Sequence, residues 1–163
     1  MRRPISFLIF IVFMPVGMIM SCNKNINSFD PVAEKASIEN TIRSSIGWAK
    51  DKDIKLLYSV IANDDNFLEV HPEGKVVSGF KDFTKAESFW MSPDFRAVRY
   101  DISDLRINIA ESGTTAWWFC ILNDINEWKG QPANWENTRW TGVAEKRNGK
   151  WIIVQQHFSY AEE

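Results

Sequence analysis

The chain has 163 residues, 45% of them apolar, with a formal net charge of −2, a length that suits one domain able to bury about two-thirds of its unfolded surface. The 19 basic residues are scattered among 21 acidic ones and form no cluster, so a nucleic-acid partner is excluded from the expectations. The two histidines, His71 and His157, lie far apart with no nearby ligand cluster, so neither a metal nor a cofactor is expected.

The chain begins "MRRPISFLIFIVFMPVGMIMSCNK". Its apolar run from Ile5 to Met20 is broken by Pro15 and is shorter than the roughly 20 residues that span a bilayer. With Arg2 and Arg3 before it and small Ser21 after it, it reads as an export signal. The stretch Ile19-Met20-Ser21-Cys22 resembles the lipobox of bacterial lipoproteins, which implies cleavage before Cys22 and acylation of its thiol. The expected divisions are a signal peptide over 1–21, a tether over 22–30 and a folded domain over 31–163. This implies a bacterial cell-envelope protein facing the periplasm, held to the membrane through Cys22. Cys120 is then alone, cannot form an internal disulfide, and reads as an inert buried hydrophobe.

Asp30-Pro31 is an N-cap followed by proline at the first helical position. Ile38, Ile42 and Ile46, followed by Trp48, predict a helix with one apolar stripe. A second helix follows Asp53, with Ile54, Leu57, Tyr58 and Ile61 at helical spacing. A small hairpin is predicted from Phe67–Val70 and Val76-Val77 across Pro72-Glu73-Gly74. A third helix runs through "FKDFTKAESFW" to Ser92-Pro93.

Beyond Pro93 the pattern is all strand. "AVRYDISDLRINIAE" alternates twice, with a shift of apolar parity near Ser103-Asp104 that predicts a bulge. "TTAWWFCILND" is apolar on both parities, which predicts a central strand buried on both sides. The segment from Thr138 to Ser159 is a hairpin on the two-residue turn Asn148-Gly149. Helices segregated from an antiparallel meander make an α+β domain.

Counting outward from that turn sets Arg147 opposite Lys150, Ala144 opposite Ile153, Gly142 opposite Gln155 and Trp140 opposite His157. One face then carries Trp140, Gly142, Ala144, Trp151, Ile153, Gln155 and His157. It grows polar away from the turn, beside small residues that leave room, so it is expected to wall a cavity. The other face, with Val143, Ile152 and Val154, is apolar enough to suggest a partner subunit, and a homodimer through this outer face is expected. Arg139, on that parity, suits a dimer salt bridge.

The ending Arg139 to Ser159, of the form R-x-T-G-V-x-E-K-x-x-G-K-W-x-I-V-x-x-H-F-S, resembles the SnoaL-like domains of the nuclear transport factor 2-like superfamily, as does "DDNFLEVHPEGKVVSGFKDF" (Asp64 to Phe83). The resemblance covers nearly all of residues 31–160. It implies a cone-shaped α+β barrel, a pocket between the concave sheet and the helices, and frequent dimerisation through the sheet. It does not fix an activity, because relatives include isomerases, cyclases, dehydratases and binding or assembly modules. The dipeptide His71-Pro72 stands where ketosteroid isomerase relatives carry a catalytic aspartate before a proline. Those relatives also need a tyrosine in the first helix, where this chain has Arg43 or Ser44.

The candidate residues follow. His157 and His71 are the acid-base candidates, and His157, Gln155, Trp140, Trp128, Trp118 and Tyr100 are expected to contact a ligand. Trp128, Trp135 and Trp140 fall in or beside the polar stretch "NEWKGQPANWENTRW", which reads as a loop that could fold over the cavity mouth. Asp124 and Glu127 read as solvated loop charges. Three functions compete: an envelope domain binding a small, partly apolar molecule, an acid-base enzyme using a pocket histidine, and an assembly module. The first is favoured, because a lone histidine without an oxyanion partner gains little as a catalyst.

Overall fold

The computed structural model describes residues 29–160; the expected signal peptide, Cys22 and most of the tether lie outside the described residues. Asp30 caps helix α1 (Pro31–Asp51), its carboxylate accepting from the backbone N–H groups of Val32 and Ala33 at 2.9 and 3.3 Å. Ile38, Ile42 and Trp48 form its buried stripe. Asp53 caps α2 (Ile54–Val60) by accepting from Leu56 N–H at 3.0 Å. The short hairpin is β1 (Leu68–Val70) and β2 (Val76–Ser78).

The expected third helix is broken into α3 (Phe80–Phe83), a 3₁₀ turn at Thr84–Ala86 and α4 (Glu87–Trp90). Thr84 Oγ1 donates back to the Lys81 carbonyl at 3.1 Å within this tightened turn. Phe83 and Trp90 still meet, with ring centroids 5.0 Å apart.

The remaining strands are β3 (Phe95–Ile109), β4 (Thr115–Trp128), β5 (Gln131–Pro132), β6 (Trp135–Arg147) and β7 (Lys150–Tyr160). The sheet order is β2-β1-β7-β6-β4-β3, with β5 paired to β4. β1 runs parallel to β7 and the other named pairs are antiparallel. The register of β3 against β4 shifts between Ser103 and Arg106, with Asp104 at φ 53°, which is the expected bulge. Helix α1 packs against both β3 and β7, although β4 and β6 lie between them, so the sheet curls around the helix. The result is the expected α+β architecture of a curled sheet on N-terminal helices.

Two strand expectations are corrected. β4 is covered on one side only: Ala116, Trp118, Cys120 and Leu122 are buried, whereas Trp117 is 48% exposed. Among the described residues one layer of helices covers one face of the sheet, so the second apolar parity of β4 is left uncovered by them. The polar stretch after Asn123 is also no loop. β4 continues to Trp128, turns at Lys129-Gly130 (φ 51° and 75°) and returns through β5 into β6.

Candidate functional site

Curling the sheet around α1 leaves a cavity of about 670 Å³ between the concave face and the helices. Trp48, Phe83, Trp90 and Phe95 line one part of it, and Trp135 and Phe158 another. His71, Trp135, Phe158 and Trp140 form a run of touching rings, at centroid separations of 5.4, 5.0 and 5.4 Å, and Trp118 extends it into the core at 5.8 Å. Such aromatic pairs favour one arrangement of the wall over others.

A single inserted residue decides which polar groups reach this cavity. Ala144 pairs with Ile153, as counting from the turn predicts, but Val143 pairs with Gln155, so Val154 is an extra residue in β7. One insertion exchanges the two faces of every residue beyond it. Trp151 and Ile153 therefore point inward, and Gln156 and Phe158, not Gln155 and His157, follow them. His157 is exposed and Gln155 half-buried, both on the convex side. The expectation that His157 and Gln155 line the cavity is thereby corrected.

The other expected ligand contacts divide. His71 borders the cavity. Trp118 and Trp140 are buried in the core beneath it, and neither indole N–H finds an acceptor. Gly142 does not leave room for a ligand. A Cβ there would stand 2.2 Å from the Trp118 ring and 2.7 Å from the Gln155 carbonyl, so the indole already fills the space. Trp128 stacks on Phe89 at 4.6 Å, and Phe89 rather than Trp128 borders the cavity. Tyr100 lies over Gly47 of α1, away from the lining. Glu127 is held by Arg96 at 2.6 and 3.0 Å on the far side of its strand.

In place of His157 stands a cluster built by two strands. β1 lies in register with β7, Glu69 beside Gln156 and Val70 beside His157. Glu69 shares the inward face with Gln156, and His71, two residues on, shares it too. Gln156 Nε2 donates to Glu69 Oε2 at 2.5 Å, and His71 Nε2 lies 2.6 Å from Glu69 Oε1. The imidazole contact is close but is not an aligned hydrogen bond, so His71 Nε2 has no well-directed partner. Glu69 and Gln156 are each 5% exposed.

A second pair comes from β4, where Asp124 and Asn126 alternate onto the same face and Asn126 Nδ2 donates to Asp124 Oδ2 at 2.8 Å. Asp124 keeps partial access to solvent yet is crowded by protein. Burial pushes its carboxyl above the usual carboxylate range, against the smaller opposing pull of the Asn126 bond. Cys120 lies in the core, its thiol pushed up to about 12 by burial, and takes no part. Among the described residues no group of three or more His, Cys, Asp or Glu side chains could hold a metal ion.

The arrangement can do two things. The aromatic part buries an apolar body, while the carboxylate, amide and imidazole groups orient its polar end. Glu69 can also steady His71 as a proton donor or acceptor beside the cavity.

A family model described as the SnoaL-like domain matches residues 38–163. The chain belongs to this family. No curated protein matches the sequence. Among solved structures, this SnoaL-like domain is similar to a candidate dehydratase of the nuclear transport factor 2-like family from Streptomyces avermitilis, at 16% identity and a TM-score of 0.70, covering 82% of this chain and 100% of that one. It is also similar to a candidate scytalone dehydratase from Novosphingobium aromaticivorans, at 12% identity and a TM-score of 0.68, covering 80% and 86%. A third likeness is to a candidate calcium/calmodulin-dependent kinase II association domain from Exiguobacterium sibiricum, at 12% identity and a TM-score of 0.66, covering 82% and 98%. At these identities the likenesses establish the fold of this SnoaL-like domain and no residue roles.

Proposed function

We propose that this SnoaL-like domain is a lipid-anchored protein of the bacterial cell envelope that binds a small, partly apolar molecule in the cavity between sheet and helices. The observation that carries this reading is the division of the cavity wall. Aromatic side chains supply most of it, and its polar part is two small groups, Glu69, His71 and Gln156 at β1 and β7, and Asp124 and Asn126 on β4, with β6 between them. Wide apolar walls with few convergent polar groups suit a small organic ligand. The lipobox-like Ile19-Met20-Ser21-Cys22 supports the anchor on Cys22. The outward row of Trp117, Phe119 and Ile121 on β4, with Val143 beside Trp117, supports a homodimer through the convex face.

A second reading, acid-base catalysis, is supported by one contact, that of His71 with Glu69. A carboxylate within reach of an imidazole at the edge of a cavity is a pairing that general acid-base work uses. The similarity to candidate dehydratases is compatible with it.

Native mass spectrometry of the protein purified from its own host tests the binding reading. A co-purifying small molecule, lost on unfolding, is the expected result; protein that carries nothing and shows no saturable uptake from a host extract overturns it. His71→Asn separates the two readings. A binding protein loses affinity and shows no turnover before or after the change, whereas an enzyme keeps affinity and loses rate.

A further inference from the structure

We infer that the molecule held in this cavity is an organic cation, an ammonium group carried on a flat ring; the inference rests on the binding reading above and adds the charge of the ligand. The ionisable groups bordering the cavity are Glu69, Glu73, Asp82 and Asp124 against His71 and Lys75. Three of these are accounted for at the periphery. Glu73 and Lys75 are exposed, Glu73 accepting from Tyr160 at 3.2 Å, and Asp82 is paired with Lys85 at 2.6 Å. The interior keeps two carboxylates, Glu69 and Asp124, and one imidazole.

The amides beside these carboxylates sharpen the imbalance. An ionised carboxylate only accepts, so each neighbouring amide must turn its NH₂ toward it and its oxygen away. Gln156 does this toward Glu69 and Asn126 toward Asp124. Gln156 Oε1 and Asn126 Oδ1 are both buried without a donor. Two carboxylates and two unanswered carbonyl dipoles therefore give this polar side of the wall, from β1 across to β4, a negative potential. An anionic ligand would meet like charge there. An ammonium group supplies the missing charge, and the remaining wall of Trp48, Trp90, Phe95, Trp135 and Phe158 is aromatic, a surface suited to a cation and to a flat ring.

Isothermal titration at pH 7.5 of the mature chain with tryptamine, tryptophol and indoleacetate compares one ring carrying a cation, a neutral hydroxyl and an anion. Tryptamine is expected to bind about tenfold tighter than tryptophol, and indoleacetate weakest of the three. Asp124→Asn, which keeps size and shape, is expected to remove about tenfold from tryptamine and clearly less from tryptophol; Glu69→Gln repeats the test at the other carboxylate, with circular dichroism reporting that each variant is folded. Equal binding of tryptamine and tryptophol, or tighter binding of indoleacetate, overturns the cation inference and leaves the binding reading standing. If none of the three binds, the inference of a cation on a flat ring falls, and the host-extract experiment alone decides the binding reading.

Discussion

Glu69 and Gln156 stand side by side across the parallel pair of β1 and β7, and the Gln156 amide donates to the Glu69 carboxylate over 2.5 Å. This contact ties the short N-terminal hairpin to the last strand at the point where the cavity wall turns polar. A carboxylate as deep as Glu69 needs its donors, so removing one leaves a buried acceptor unanswered. Gln156→Ala is expected to destabilise the fold by about 1–3 kcal/mol in urea unfolding. His157→Ala, one residue away and facing solvent, should change it by less than about 0.5 kcal/mol. The reverse order would contradict the bulge at Val154.

Gly142 owes its identity to a close approach rather than to backbone freedom. With the Trp118 ring 2.2 Å from where its Cβ would stand, and the Gln155 carbonyl at 2.7 Å, neither neighbour can yield without moving the indole or the strand. Gly142→Ala is expected to lower stability by about 1–3 kcal/mol, the usual range for overpacking. Combining it with Trp118→Phe should recover part of that loss, because the smaller ring vacates the site. Thermal unfolding of the two single variants and the double one measures the coupling; strict additivity would show that Trp118 is not what excludes the methyl group.

The fold was legible where its determinants are local. Asp30-Pro31, Asp53 and Asn148-Gly149 each fix a cap or a turn through nearby backbone groups, and each does so in the structure. The bulge at Ser103-Asp104 could be read because the apolar parity changes across it. The bulge at Val154 could not, since Ile152, Ile153 and Val154 are all apolar and an inserted residue leaves no trace in such a run. The site turned on that one residue. Glu69 was hidden for a related reason: Leu68 and Val70 beside it suggest that the apolar parity faces in, whereas the carboxylate does. Asp124 and Asn126 were hidden by the polarity of their segment, which resembles a loop but is a strand bordering a cavity.

Trp117 pairs with Val143 on the convex face, in an apolar row that no helix among the described residues covers. On the proposed dimerisation through this face, a buried charge there should be costly, because two copies would each bring one into an apolar interface. Val143→Asp and Trp117→Glu are both expected to convert the dimer to a monomer in light scattering, with circular dichroism unchanged. An unmodified protein that is monomeric throughout the micromolar range would remove this reading.

Acid titration of stability separates two carboxylates that pull in opposite directions. Glu34 accepts from Lys146 and, at 2.7 Å, from Trp151 Nε1, and these bonds hold its carboxyl below the ordinary range. Its contribution is complete above about pH 4.5, where the unfolded chain is also ionised, and is lost as pH falls through the lower native value. Glu34 is only partly shielded, at 18% side-chain exposure, so about 1 kcal/mol or less is expected from it. Asp124 is the opposite case: burial raises its native pKa, so its ionised form weakens the fold above that value, and the penalty disappears below the unfolded one. Asp124→Asn should therefore raise the unfolding midpoint of the ligand-free protein at pH 7 and leave it unchanged near pH 3, while Glu34→Gln lowers the midpoint at pH 7 and by less near pH 3. Urea unfolding of both variants at the two pH values checks the signs; a loss of stability from Asp124→Asn at pH 7 would mean that this carboxylate is held for the fold and not for a ligand.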